Sequence, residues 1–215
     1  MKRVTEEEER ARVMKMCEIE KVCREKGYKY IAGVDEAGRG PLAGPVFAAA
    51  VILPEDIYIE GINDSKKLSE KKREELFDVI CEKADAYCIA EVPENRIDEI
   101  NILNATFEAM NKAVDGLKIC PDYVLVDGNR IAGMKIPNET VVKGDAKSIS
   151  IAAASILAKV SRDRLMYKMA EKYPEYGFDK HKGYGTKAHC EAILKYGPCD
   201  IHRTTFLKKI TGDNR

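Results

Sequence analysis

Tyr30-Ile31-Ala32-Gly33-Val34-Asp35-Glu36-Ala37-Gly38-Arg39-Gly40-Pro41-Leu42-Ala43-Gly44 is a short hydrophobic run that ends in two adjacent carboxylates and passes at once into a loop. The run reads as a strand over 30–35. Carboxylates at the end of a buried strand are costly unless a partner compensates them, and a divalent cation is the usual one. The loop holds Gly38, Gly40 and Gly44 together with Arg39 and Pro41, so its backbone can come close to a ligand. A metal beside a phosphate-friendly loop implies phosphoryl chemistry.

Two further acids of this kind would make a site, and the chain supplies two segments that carry them. Strands are expected at 46–53, 86–92, 122–127 and 140–143. Asp127 closes the fourth strand, in Tyr123-Val124-Leu125-Val126-Asp127-Gly128, and Asp145 follows the fifth, in Val141-Val142-Lys143-Gly144-Asp145. If these strands share one sheet, Asp35, Glu36, Asp127 and Asp145 converge. Two carboxylates about 4 Å apart repel by roughly 4 kcal/mol at an effective dielectric of about 20. Four require protonation or metal, and two Mg2+ or Mn2+ ions meet that need while clamping both oxygens of an in-line phosphoryl displacement. Neighbouring strand residues point to opposite faces, so Asp35 and Glu36 share a site only if Glu36 lies past the regular strand. The competing reading is that such acids cap loops and helices, with Asp145 capping a helix that begins near Lys147.

The helices follow from apolar spacing. Residues 5–26 read as one helix, with Thr5 and Glu8 at capping-box spacing and Gly27 as its stop. Helices are expected at 69–83, with Ser69 as N-cap, at 95–116, and at 147–172, where Ile149, Ala152, Ala153, Ile156, Leu157 and Val160 form one stripe. The exposed side of the last is assigned Lys159, Arg162, Arg164 and Lys168. A shorter helix is expected near 186–196. Strands interleaved with helices in this way indicate an α/β or α+β domain with a mixed sheet.

Composition narrows the class. At 215 residues the chain is long enough for one domain with a small appendage, here an N-terminal helical extension (1–28) followed by the main domain (29–215). No apolar run reaches the roughly 18–20 residues of a membrane helix. Seven cysteines without a C-x-x-C pair point to reduced thiols and a cytoplasmic protein, and away from zinc. Net charge is zero, yet residues 143–215 hold 15 Lys and Arg against 8 Asp and Glu, a basic third suited to an anionic polymer or to solvated helix faces. No Walker A sequence occurs. Ser65, Lys66 and Lys67 precede a helix, where a phosphate contact or a solvated helix start fits equally. Tyr184, between Gly183 and Gly185 in a basic stretch, suits stacking on a sugar or base, or packing in a groove.

Taken together, Gly33–Val46, Asp64–Leu68, Val126-Asp127-Gly128, Lys143-Gly144-Asp145, Ile151–Val160, Arg162-Asp163, His181–Thr186 and Ile201-His202-Arg203 resemble the type 2 ribonucleases H, in family order from about residue 30 to 207. The resemblance implies an RNase H-like fold: a five-stranded mixed sheet flanked by helices, with a helical C-terminal part (about 173–215). It implies hydrolysis of the RNA strand of RNA–DNA hybrids and incision 5′ to a ribonucleotide embedded in duplex DNA, with Mn2+ or Mg2+. Carried over by position, Asp35, Glu36, Asp127 and Asp145 are the metal-binding catalytic acids. Gly38-Arg39-Gly40 reads the 2′-OH, Tyr184 stacks on the sugar at the RNA-to-DNA junction, and Ser65, Lys66 and Lys67 contact the backbone. Asp163 is taken as a supporting residue. The expected partners are such nucleic acids alone, with a monomeric protein and no membrane. A structure-specific DNA nuclease of the same fold and a non-catalytic hybrid-binding module are the alternatives.

Overall fold

Alanine and β-branched residues dominate the sheet and set its layers. In the computed structural model, which describes residues 5–212, Ile31–Ala37 (β1), Val46–Ile52 (β2), Ala86–Val92 (β3), Tyr123–Asp127 (β4) and Asn138–Val141 (β5) form one sheet in the order β3-β2-β1-β4-β5. β2 pairs antiparallel with both β1 and β3, whereas β1–β4 and β4–β5 are parallel. The apolar run of β2 is buried at all seven positions, as a strand covered on both faces must be.

The helices are Glu6–Met16 (α1), Glu18–Glu25 (α2), Glu70–Lys83 (α3), Glu94–Asp115 (α4), Ile149–Lys172 (α5), Phe178–His181 (α6), Lys187–Tyr196 (α7) and Thr204–Thr211 (α8). Alternation along β2 serves both faces. Phe47, Ala49 and Val51 pack with α5 residues Ile149 to Val160, with Leu76 and Ile80 of α3 and with Val13 and Met16 of α1. Ala48, Ala50 and Ile52 pack with Ala105, Ala109 and Val114 of α4. A separate C-terminal cluster joins Tyr176, Phe178, Ile193 and Leu207 to Ala43 and Met166. The mixed α/β architecture expected from the sequence is thus present.

Some boundaries differ from expectation, each for a local reason. The single helix of 5–26 is two, broken at Cys17. Val13 and Met16 pack in the cluster of β2, α3 and α5, while Cys23 packs on Ile31, Leu125, Val141 and Ile151, so each half serves its own cluster. The Thr5–Glu8 capping box is formed. Of the 1–28 segment, residues 1–4 lie outside the described residues. α4 is kinked at Asn101 (φ 65°), whose Oδ1 accepts from the N–H groups of Leu103 and Asn104 and restarts the helix. β5 ends at Val141, because Lys143 adopts a left-handed conformation (φ 57°) that turns the chain.

Candidate active site

Parallel pairing brings the acids together. Val34 lies opposite Val126, so the next residues, Asp35 within β1 and Asp127 at the end of β4, stand side by side on adjacent parallel strands. Asp127 lies opposite Val141, and two residues later the left-handed turn leads into the short 3-10 turn Gly144–Ala146, which carries Asp145. One carboxylate oxygen from each of Asp35, Asp127 and Asp145 lies within 4.8 Å of the others. This is where open α/β sheets gather ligands. Asp145 is not the helix cap: Ser148 caps α5, its Oγ accepting from the Ile151 N–H.

Glu36 lies inside β1, opposite Ala48, rather than past the strand as expected. It is outside the three-acid group, yet it lines the same cavity, about 190 Å3 in volume, as Asp35. Its carboxylate meets Arg39 Nη1 at 3.5 Å.

The electrostatics are those of a site short of positive charge. Burial, with Glu36 and Asp127 adding repulsion, holds the Asp35 carboxyl well above its ordinary range. Burial also raises Glu36, against the pull of Arg39. Burial and the charge of Asp127 raise Asp145. The backbone supplies some compensation: Glu36 N–H donates to Asp35 Oδ1 at 2.7 Å and Gly144 N–H to Asp127 Oδ1 at 2.7 Å. The nearest side-chain cation to Asp145 is Lys66, Nζ at 3.8 Å. Burial lowers the Lys66 pKa, but Asp35 and Asp145 outweigh it and leave it raised. Three hard oxygen donors under mutual repulsion fit Mg2+ or Mn2+.

The glycine loop shares this cavity. Gly38, Arg39, Gly40 and Tyr184 line it with Asp35 and Glu36. Gly40 is so close to Tyr184 that a Cβ there would lie 3.5 Å from its ring, and Tyr184 is about half exposed. Ser65 and Lys66 line the cavity as well. Lys67 does not: it borders a neighbouring cleft of about 480 Å3 with Arg12, Lys15 and Lys147.

The profile of the family described as Ribonuclease HII matches residues 32–209. The Ribonuclease HII of Acetivibrio thermocellus is 59% identical over 207 residues, 96% of this chain and 81% of that protein. The chain belongs to the ribonuclease HII family. Among solved structures, the ribonuclease H2 from Pyrococcus horikoshii OT3 superposes with a TM-score of 0.71 at 32% identity, covering 86% of this chain and 98% of that one. Bst-RNase HIII in complex with Mn2+ shares the fold at 17% identity, with a TM-score of 0.59 over 78% of this chain and 63% of that one. The fold is therefore RNase H-like, and the protein is a metal-dependent endoribonuclease.

Two arginines that hold the ribonuclease HII loop escaped the sequence reading. Arg162, expected on the exposed side of α5, is 1% exposed, and Arg203 is fully buried. Arg203 donates to the carbonyls of Gly38, Arg39, Pro41 and Gly44 at 2.6–3.0 Å. Arg162 donates to those of Ala43, Pro45 and Lys182. The absent Cβ of Gly38 (φ 97°) would stand 2.1 Å from Arg162 Nε, which gives the glycine its reason. Lys159, also expected on the exposed side, lines the cavity and pairs with Asp163 at 2.7 Å. Asp163 reaches Arg73 at 3.9 Å as well and is not among the clustered acids. The one available signal was the Arg162-Asp163 and His202-Arg203 pairs within the family motifs.

Proposed function

We propose that this chain hydrolyses the RNA strand of RNA–DNA hybrids and incises 5′ to single ribonucleotides embedded in duplex DNA, leaving 5′-phosphate and 3′-OH ends. The observation that carries the reading is the cluster of Asp35, Asp127 and Asp145, of which Asp35 lines a small cavity together with Gly38-Arg39-Gly40 and Tyr184. Two Mg2+ or Mn2+ ions, when bound, supply a lowered water pKa for attack and stabilisation of the departing 3′ oxygen.

The protein's own part is positioning. Asp35, Asp127 and Asp145, with Glu36 at the cavity edge, hold the ions. The carbonyls of the glycine loop are committed to Arg162 and Arg203, which fixes its backbone against the ribose, whose 2′-OH separates RNA from DNA. Tyr184 stacks on the sugar at the junction, and Ser65, Lys66 and Lys67 contact the backbone. Lys66 screens the acids while accepting a phosphate. Such an activity starts ribonucleotide removal during or after DNA replication, in a monomeric cytoplasmic protein.

The test is an end-labelled DNA duplex with one ribonucleotide, beside an all-DNA control, in Mg2+, Mn2+ or EDTA. A metal-dependent nick 5′ to the ribonucleotide and an intact control are expected. Cleavage of the control would mark a DNA nuclease of this fold, and binding without cleavage would mark a hybrid-binding module.

A further inference from the structure

We propose that Glu20, on the helical segment that precedes the first strand, is a positioning residue for the turn that carries Asp145. The inference rests on Asp145 and Asp127 being metal ligands, as argued above. Glu20 is 2% exposed although it is a carboxylate. Its Oε1 accepts from Ser148 Oγ at 2.5 Å and from Ser150 N–H at 3.0 Å, so it reaches across 128 residues of sequence to the start of α5. The first turn of α5 contains no acidic residue. Glu20 provides from another element a hydrogen-bond acceptor for the start of α5.

The contact leads directly to the acids. Ser148 N–H and Lys147 N–H both donate to Gly144 O, at 2.8 and 2.9 Å, and so close the turn around Asp145. Gly144 N–H in turn donates to Asp127 Oδ1. On its other side, the start of α5 is pressed on β1: a Cβ on Gly33 would fall 2.1 Å from the Ser150 carbonyl carbon. The N-terminus of α5 is thus gripped between the strand that ends in Asp35 and the carboxylate of Glu20.

Capping α5 alone does not require Glu20, because Ser148 already caps it. Glu20 Oε2 has no hydrogen-bond partner among the described residues, and burying an incompletely satisfied carboxylate is costly. What it adds is a fixed orientation for Ser148, and through it for the Gly144–Ala146 turn. Outer groups that orient metal ligands act in this manner.

The test uses the full chain with Glu20→Ala, Glu20→Gln and Ser148→Ala. Hydrogen exchange of the metal-free proteins and Mn2+ binding by calorimetry are read beside cleavage of the single-ribonucleotide duplex. Glu20→Ala is expected to weaken Mn2+ binding by about 10-fold or more, to speed exchange at residues 144–148 while the amides of α4 stay at wild-type rates, and to lower kcat at unchanged KM. Glu20→Gln, whose amide oxygen accepts the same two hydrogen bonds, is expected to stay near wild type in all three readouts. Should Glu20→Ala fail to fold, Ser148→Ala, which removes the receiving hydroxyl, is expected to give the same local exchange and metal defects. Wild-type exchange and Mn2+ affinity in Glu20→Ala would overturn the proposal. So would uniformly faster exchange in all elements, or Glu20→Gln behaving as Glu20→Ala. Failure of the wild-type protein itself to bind Mn2+ or nick the duplex would overturn the functional reading, while the exchange comparison would still report on the Glu20 contact.

Discussion

Asp35 carries the strongest electrostatic strain at the residue scale. Its carboxyl is buried between Glu36 and Asp127 and is held well above its ordinary range by burial and then by those charges. A raised pKa in the folded state means that stability is fully present below the unfolded value and is lost as pH rises through the folded one. At neutral pH without metal this group therefore opposes folding. Asp35→Asn is expected to raise the melting temperature in EDTA at pH 7.5 by about 2–4 °C, the equivalent of about 1 kcal/mol, while abolishing cleavage. Thermal melts read this, and an unchanged or lower midpoint would remove charge strain from the account. Asp127→Asn tests the site from the other side. Losing a ligand worth several kcal/mol of charge stabilisation should lower the cleavage rate by about 1,000-fold or more, with hybrid binding by fluorescence anisotropy within about threefold of wild type. Full activity would remove Asp127 from the site.

Two devices at the scale of elements hold the glycine loop and Tyr184. Arg203 stitches the loop from Gly38 to Gly44. Burial, with Arg162 adding repulsion, brings its pKa down to about 9, which leaves it protonated at neutral pH. Arg203→Leu would strand several buried carbonyls, at about 1–3 kcal/mol each. A loss of at least about 3 kcal/mol in urea unfolding is expected, and a loss below about 1 kcal/mol would contradict the latch. The second device lies beneath Tyr184. His189 Nδ1 meets Tyr184 O at 3.0 Å, and its Nε2 meets His202 Nε2 at 3.0 Å, so one ring must donate and the other accept, which two imidazolium ions cannot do. Burial lowers His189 to about 4. The lowered folded pKa gives stability that is complete above the unfolded value of 6.5 and fades as pH falls through about 4. Denaturation midpoints of the wild type should fall across that window, and His189→Gln should show a shallower fall. Parallel slopes for the two proteins would exclude this pair as the cause.

An ion at the acid cluster would tie stability to metal across the whole molecule. Asp35, Asp127 and Asp145 come from β1, β4 and the turn after β5, so an ion bound there bridges three separated segments. At a metal concentration about 100-fold above Kd, linkage adds about 2.7 kcal/mol, or roughly 5–10 °C at this chain length. A melting temperature equal in EDTA and in saturating Mg2+ or Mn2+ would show that the cluster holds no ion. No helix among the described residues is long and apolar enough to cross a membrane, in keeping with the absence of any such run in the sequence.

Much of this was legible in one dimension, because its causes are local. The apolar run of 46–52, the stripe on α5 and the capping residues Thr5 and Ser69 follow from neighbours a few positions away, and the motifs around Asp35, Asp127 and Asp145 carried the family with them. What no local pattern contains is the partner of a long-range contact. Arg162 and Lys159 read as solvent-facing from helical period, yet a folded-back loop and a cavity cover them. Cys17 and Asn101 interrupt helices at positions that no apolar spacing marks. Glu20 is one glutamate among many in a charged segment until folding sets it against Ser148. The sequence by itself determined the strands, most of the helices, the candidate acids and the family; parallel pairing of β1, β4 and β5 decided which acids meet, since only the register across strands sets the distance between residues nearly a hundred positions apart.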